Sequence, residues 1–211
     1  MIKDPNRREF VVGAAMMAGS VAVNAKPTQT QKILNYNPQM EYRRLGKTGL
    51  MVSAVCLGGH WKRVSTVVPG IGTATGFSPE DRKNIYNQEF LKNRYAVLSH
   101  CMEVGMNYVD ACSPQEILAY SQVLRGRRNK MYLGFSWHER EPRYPEWRST
   151  KRLMEGFDMS LREAHLDYVD VWRITLPMEG IADLDTLLQV EEATVGALEK
   201  AKAQGKARFT G

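Results

Sequence analysis

The chain has 211 residues, enough for a substantial hydrophobic core, and its 43% hydrophobic and 25% charged residues are ordinary for a globular protein. Its formal net charge of +6 is scattered along the chain, which argues against a nucleic-acid-binding patch and is compatible with a small anionic ligand. The three cysteines show neither CxxC nor metal-finger spacing, so they exclude a disulfide framework, although one disulfide remains arithmetically open.

The first 25 residues combine a short polar lead, the pair Arg7-Arg8 and an apolar stretch over 11–23. That stretch is shorter than the roughly 20 apolar residues that span a membrane, and it ends in small residues typical of a signal-peptidase site. Paired arginines ahead of such a stretch resemble a twin-arginine export signal. We therefore expect residues 1–25 to be a signal peptide, 26–40 a polar linker, and the mature protein to be periplasmic. The alternative is an amphipathic first helix of the fold, but no helical apolar stripe is present.

From residue 41 onward the pattern predicts a folded domain. Residues 41–45 and 50–53 flank a glycine-containing turn and predict a β-hairpin. Strands are then predicted at 54–59, 106–110, 130–137, 168–175 and 206–210, with helices at 88–104, 114–124, 149–164 and 185–203. Such alternation predicts an α/β fold with a parallel sheet covered by helices. A closed eightfold barrel and an open doubly wound sheet begin alike, and the hairpin, which can plug a barrel's bottom, favours the barrel.

Several segments, in order along the chain, resemble the aldo/keto reductases. They are Tyr42–Ser53, Gly105–Ala111, Leu124–Lys130, Ser160–Arg162 with Leu166–Asp170, and Gln204–Gly211. The resemblance implies that residues 41–211 are the N-terminal portion, about the first five β/α units, of a parallel (β/α)8 TIM-type barrel. An open arc of strands leaves an unpaired edge. We therefore expect the chain to be a piece of a longer protein, or else to be closed by a partner.

The resemblance also implies a reaction, which is carbonyl reduction by NADP(H) or NAD(H), or the reverse. Hydride passes between the nicotinamide and a carbonyl, while a tyrosine supplies the proton. In the family a lysine favours the ionised tyrosine, an aspartate pairs with the lysine, and a histidine orients the carbonyl. Most contacts to the cofactor's phosphates and adenine are implied to lie in strands beyond residue 211, so no cofactor-binding residue is predicted here.

The family's catalytic set is mostly replaced in this sequence. Asp110, at the end of the second strand, matches the aspartate. Gln115 stands where the tyrosine is expected, Ser136 where the lysine is expected, and Thr175 where the histidine is expected. The nearby Tyr120 lies well inside a helix, where packing is the expected role. The ordinary mechanism is therefore in doubt, and Ser136 and Thr175 are kept as weak catalytic candidates by position alone.

Other side chains follow the predicted strands and would face the same barrel mouth. His60 and Trp61, after the first strand, are predicted to bind substrate. Arg173 shares the strand phase of Thr175 and is predicted to bind an anionic substrate, with a salt bridge between barrel layers as an equal alternative. His138, after the third strand, has the side chain whose ordinary pKa suits a replacement proton donor.

Metal binding is a weaker expectation. His60, Asp110, Cys112 and His138 carry atoms that suit a transition metal, but their spacing has no metal signature, so no metal site is predicted. The segment 62–76 lacks a GxGxxG motif and is interpreted as a loop over the mouth, a lid in one reading.

Three functions remain open. The first is an exported oxidoreductase of aldo/keto reductase type, with a depleted catalytic set, acting on a small carbonyl or sugar-like molecule. The second is an inactive barrel that binds a sugar-like or carbonyl ligand. The third, with least support, is a metal-dependent lyase or isomerase. No nucleic-acid partner and no stable membrane span are expected.

Overall fold

A computed structural model describes residues 33–61, 64–68, 71, 81–176, 181 and 183–211. The predicted export signal, the first part of the predicted linker and most of the predicted lid therefore lie outside the described residues. The described chain contains the predicted hairpin, in which β1 (Tyr42–Arg44) pairs antiparallel with β2 (Met51–Ser53). Gly46 and Gly49, in its turn, have φ of +50° and +75°, a left-handed conformation that favours glycine.

Five parallel strands form the main sheet. They are β3 (Leu57–Gly58), β4 (Tyr108–Ala111), β5 (Tyr132–Phe135), β6 (Val169–Trp172) and β7 (Ala207–Thr210). Their order in the sheet is β3-β4-β5-β6-β7, and every neighbouring pair is parallel. A doubly wound sheet reverses its strand order at a switch point, whereas a barrel adds each new strand on the same side. The strand order therefore identifies the sheet as an arc of a parallel α/β barrel, as predicted.

Helices connect the strands. They are α1 (Asp81–Asn84), α2 (Gln88–Glu103), α3 (Pro114–Val123), α4 (Thr150–Ala164) and α5 (Leu184–Ala203), and only α1 was not predicted. Each of the four longer helices begins at a residue whose side chain accepts a hydrogen bond from a backbone N–H of the first turn. Such N-cap residues give a partner to an N–H group that has none within the helix. These capping residues are Asn87, Ser113, Ser149 and Asp183.

The hydrophobic core lies between the sheet and the helices. Phe157 of α4 stacks on Trp172 of β6 with ring centroids 3.9 Å apart, and meets Phe135 of β5 edge-on at 5.6 Å. Both arrangements are favourable for aromatic rings. Phe135, Phe157 and Trp172 are all buried. One face of each strand is thereby committed to packing, which leaves the other face for the barrel interior.

The folded unit begins at Ile33, earlier than the predicted boundary at residue 41. The side chain of Asn35 donates hydrogen bonds to the carbonyls of Met106 (2.8 Å) and Lys130 (2.9 Å). The last part of the predicted linker is therefore bound to the barrel, because the Asn35 side chain donates to backbone carbonyls just before β4 and β5.

A buried carboxylate connects the three later strands. Asp170 on β6 is 1% exposed. Its Oδ2 accepts hydrogen bonds from the Leu133 N–H of β5 (2.9 Å) and from Arg128 (2.7 Å), and its Oδ1 accepts one from Arg208 of β7 (2.7 Å).

No helix in the described part of the chain is both long and apolar enough to cross a membrane.

Candidate active site

The strand register brings several polar residues to one level at the carboxyl edge of the sheet. Gly58, Asp110 and Gly134 are partners across β3, β4 and β5. Two residues later in each segment, just past the ends of the strands, lie His60, Cys112 and Ser136. In parallel α/β barrels the reacting groups lie at this edge. The register therefore supports placing the candidate site here.

Asp110 and Arg173 form an ion pair across the inner face of the sheet. Arg173 Nη2 lies 2.7 Å from Asp110 Oδ1, and about a third of each side chain is exposed. Of the two roles weighed for Arg173, the structure shows the salt bridge. The resemblance pairs this aspartate with a lysine from β5, so here an arginine that follows β6 supplies the positive charge instead. Arg173 Nε is buried and has no hydrogen-bond acceptor among the described residues.

A cavity of about 570 Å³ lies against the inner face of the sheet, within the size range of small-molecule sites. Its lining includes Arg173, Tyr108, Val171, Phe209 and hairpin residues 45–48. Apolar walls with three cationic side chains, those of Lys47, Arg173 and Lys202, suit a small polar molecule that carries a carbonyl or an anionic group.

Tyr108 belongs to this site although the sequence did not single it out. A β-carbon placed on Gly134 would lie 2.3 Å from the Tyr108 hydroxyl oxygen and 2.8 Å from Asp110 Oδ1, so both side chains cross the same inner face. Burial, together with the charge of Asp110, raises the pKa of Tyr108 to about 12. Its hydroxyl therefore stays protonated at neutral pH and can donate a hydrogen bond. Its spacing of two residues from Asp110, which puts both on one strand face, was the available signal.

The resemblance aligns three positions with the family's lysine, histidine and tyrosine, and the structure gives each of them a different environment. Ser136 is buried, and its hydroxyl donates a short hydrogen bond to the Glu141 carboxylate. Thr175 is exposed and lies beyond the end of β6. Gln115 is fully buried in the first turn of α3. None of these three side chains is ionisable at neutral pH, so none supplies the charge or the acid that the resemblance implies at its position.

His138 lies in a short 3-10 turn after β5 and is half-buried. Its Nδ1 is 3.2 Å from the carbonyl oxygen of Cys112, which follows β4. A protonated Nδ1 donates to that carbonyl and leaves Nε2 as the basic atom of the ring. His138 therefore lies at the carboxyl edge, between the ends of β4 and β5, and its role as a proton donor stays a prediction.

Trp61 and Tyr120 pack in the core, and neither faces the mouth. Trp61, predicted to bind substrate, is only 6% exposed, and its ring meets Phe90 and Tyr120 edge-on at 5.2 and 6.2 Å. The Tyr120 hydroxyl donates to the carbonyl of Gly58 (2.6 Å), and burial raises its pKa. Because the backbone turns after β3, Trp61 lies against the helix layer while His60 stays exposed.

Glu116 is the second residue that the sequence did not single out. It is fully buried, and its Oε2 accepts hydrogen bonds from the backbone N–H groups of Cys112 (2.7 Å) and Ser113 (3.2 Å). Ser113 in turn accepts from the Glu116 N–H, which completes a capping box at the start of α3. The other oxygen, Oε1, lies 3.1 Å from His60 Nδ1. The spacing Ser113-x-x-Glu116 before an apolar run was the available signal.

Burial dominates the electrostatics of this corner. It raises the pKa of Glu116, while the Cys112 N–H and the His60 ring oppose that shift. Burial and the neighbouring Glu116 raise the pKa of the Cys112 thiol to about 12. Without a further positive charge, the thiol is therefore protonated and unreactive at neutral pH.

Replacing Gly59 with alanine is expected to destabilise the protein by about 1–3 kcal/mol, the usual cost of overpacking. A β-carbon at Gly59 would lie 2.1 Å from Glu116 Cδ and 2.4 Å from its Cγ, so the carboxylate would have to leave its capping position. Gly58→Ala is the matched control, because no atom lies within 4 Å of a β-carbon there. Urea unfolding of both variants measures the difference, and equal losses would contradict this view of Gly59.

Comparisons with known proteins agree with this architecture. No protein-family model matches the chain. It is 29% identical to L-galactose dehydrogenase of Arabidopsis thaliana over 179 residues. The aligned region covers 82% of this chain and 48% of that protein.

Solved structures show the same fold. An aldo-keto reductase from Bacillus halodurans in its holo form superposes with a TM-score of 0.53 and 21% identity, over 81% of this chain and 49% of that one. An aldo-keto reductase from Klebsiella pneumoniae in complex with NADPH superposes with a TM-score of 0.53 and 21% sequence identity. The match covers 82% of this chain and 49% of that one. The chain spans about half the length of the proteins it matches. Its fold is therefore that of part of an aldo-keto reductase barrel.

Proposed function

We propose that the chain is part of an exported oxidoreductase of the aldo/keto reductase family, which interconverts a small carbonyl or sugar-like molecule and its alcohol with NADP(H) or NAD(H). The observation that carries the proposal is the Asp110–Arg173 ion pair at the carboxyl edge of an aldo-keto reductase-type sheet, since Arg173 also lines a cavity of about 570 Å³. The relationship to L-galactose dehydrogenase supports a sugar-like substrate. The Arg7-Arg8 motif supports export.

The polar groups of the cavity fit the reacting end of such a cofactor and its substrate. Arg173 Nε, buried without an acceptor among the described residues, is a donor for a carbonyl or carboxamide oxygen. A reduced nicotinamide, when bound, supplies the hydride. The groups that hold its phosphates and adenine are expected in strands beyond residue 211.

The described residues would divide the remaining work between them. Arg173, held in place by Asp110, supplies positive charge where the carbonyl oxygen becomes an alkoxide. Tyr108 supplies a second hydrogen-bond donor on the same face. His138 is the proposed proton donor, since an imidazole ring can carry the proton and His138 stands at the same edge.

The proposal is tested with the natural protein purified from the periplasmic fraction. We expect NADPH or NADH binding in a fluorescence titration and turnover of at least one aldehyde or sugar-like substrate. Asp110→Asn should lower kcat/KM by about 100-fold, because Arg173 loses its partner and its orientation. Asp158→Asn, which removes charge from an exposed pair with Lys206, is the control and should change kcat/KM by less than about twofold.

Two outcomes would contradict the proposal. Failure to bind either nicotinamide cofactor removes the oxidoreductase assignment. Protein retained in the cytoplasm with residues 1–25 attached removes the export assignment.

A non-catalytic barrel that binds a carbonyl or sugar-like ligand is the second candidate. It is favoured by the buried Ser136–Glu141 hydrogen bond and the exposed Thr175, which occupy two catalytic positions of the family without a catalytic group. Any carbonyl turnover that Asp110→Asn abolishes would exclude it.

A further inference from the structure

We propose that His60, Cys112 and Glu116 form a binding site for one borderline transition-metal ion such as Zn²⁺ at the carboxyl edge of β3 and β4. A ring nitrogen of His60, Sγ of Cys112 and a carboxylate oxygen of Glu116 all lie within 4.8 Å of one another. The proposal does not depend on the function proposed above, since it concerns the metal chemistry of these three side chains.

The geometry is close to that of a tetrahedral metal site. Zinc binds nitrogen, oxygen and sulfur at about 2.0–2.3 Å, which places tetrahedral ligands roughly 3.3–3.8 Å apart. His60 Nδ1 and Glu116 Oε1 are already 3.1 Å apart. The widest ligand separation therefore has to close by about 1 Å. His60 is half-exposed, so its ring has room to make that adjustment.

Glu116 is the observation that points to a bound cation. Its side chain is completely buried, yet Oε1 receives no hydrogen bond of good geometry from the described residues. Oε2 is held by two backbone N–H groups, so Oε1 is fixed in a direction that faces His60. A buried carboxylate oxygen of this kind is costly unless a positive charge compensates it.

The ligand types select the class of metal. A thiolate and an imidazole favour Zn²⁺ or Co²⁺ over Mg²⁺ and Ca²⁺, which prefer oxygen ligands alone. A thiolate and a carboxylate together balance the charge of a divalent ion. Their negative charge also exceeds the partial positive charge at the N-terminus of α3, which by itself would disfavour a cation. Three protein ligands also leave a fourth position open, the arrangement of zinc sites that bind a water or a substrate oxygen.

Contacts with the surrounding chain hold the proposed ligands in place. The capping box fixes Glu116, and Gly59 leaves the space that its side chain fills. His138 Nδ1 contacts the carbonyl of Cys112, so it holds the backbone of a proposed ligand. Outer-shell contacts of this kind orient metal ligands in known sites.

The test is a Co²⁺ titration of the chelator-treated full chain. We expect one Co²⁺ per chain, with a thiolate-to-cobalt charge-transfer band that Zn²⁺ abolishes by displacement. Cys112→Ser should remove the band, whereas Cys56→Ser, at an exposed cysteine, should retain it. His60→Ala should weaken Zn²⁺ binding by more than about tenfold, since the loss of even an outer-shell partner typically has that effect. His100→Ala, an exposed histidine on α2, is its control.

These variants keep Glu116 and its capping box, so a folding failure is not the expected result. No band at saturating Co²⁺, a band that persists in Cys112→Ser, or unchanged Zn²⁺ affinity in His60→Ala would each overturn the site. In that case His60 and Glu116 are an ion pair only.

Discussion

Replacing Asp170 with alanine is expected to lower the free energy of unfolding by about 3–5 kcal/mol, the range for breaking a buried ion pair. The Asp170 carboxylate accepts hydrogen bonds from Arg128, Arg208 and the Leu133 N–H, and it is 1% exposed. The substitution leaves Arg128, which is mostly buried, without its counter-charge and the β5 amide without its acceptor.

Urea unfolding followed by far-UV circular dichroism measures this loss. Asp158→Ala is the matched control, because Asp158 also forms a 2.7 Å ion pair, with Lys206, but about a third of each side chain is exposed. Partly exposed pairs contribute about 0–1 kcal/mol, so the control should change little. Equal losses of unfolding free energy in the two variants would show that the buried Asp170 pair stabilises the fold no more than the exposed Asp158 pair.

Replacing Phe157 with alanine is expected to cost about 3–5 kcal/mol, as for other large-to-small changes of buried aromatic residues. Phe157 is 2% exposed and contacts aromatic rings of two strands. The substitution leaves a cavity between α4 and the sheet and removes the stacking on Trp172. Alanine is a good helix former, so α4 itself should not be weakened by the change.

Met159→Ala is the control on the same helix, since Met159 is 38% exposed, and it should change stability by about 0.5 kcal/mol or less. Near-UV circular dichroism, which reports on packed aromatic rings, and urea unfolding are measured on both variants. A Phe157→Ala protein with unchanged unfolding midpoint would contradict the assignment of this ring cluster to the centre of the core.

The local elements of the fold were predictable because their physical causes are local. Polar capping residues and glycine stops gave helix boundaries close to those observed, as for Ser149 at the start of α4 and Gly105 after α2. The predicted strands were longer than the observed ones, since an apolar run extends beyond the residues that complete the hydrogen-bonded ladder. The choice between a barrel and an open sheet needed the strand order, which depends on contacts far apart in sequence.

The candidate site was only partly predictable. Asp110 was found by resemblance and Arg173 by strand phase, and the structure brings these two together. Trp61 was expected in the mouth, but its direction depends on how the chain turns after β3. The capping spacing of Glu116 with Ser113 is local and was overlooked, whereas its approach to His60 and Gly59 depends on packing between segments far apart in sequence.

The Ser136–Glu141 hydrogen bond joins the end of β5 to the chain that follows the His138 turn. Both side chains are buried, so the hydroxyl and the carboxylate satisfy each other away from water. Replacing Ser136 with lysine would lose that hydrogen bond and would bring an ammonium group beside the Glu141 carboxylate. A lysine introduced at this position alone is therefore expected to pair with Glu141 and not with Asp110, which Arg173 already neutralises.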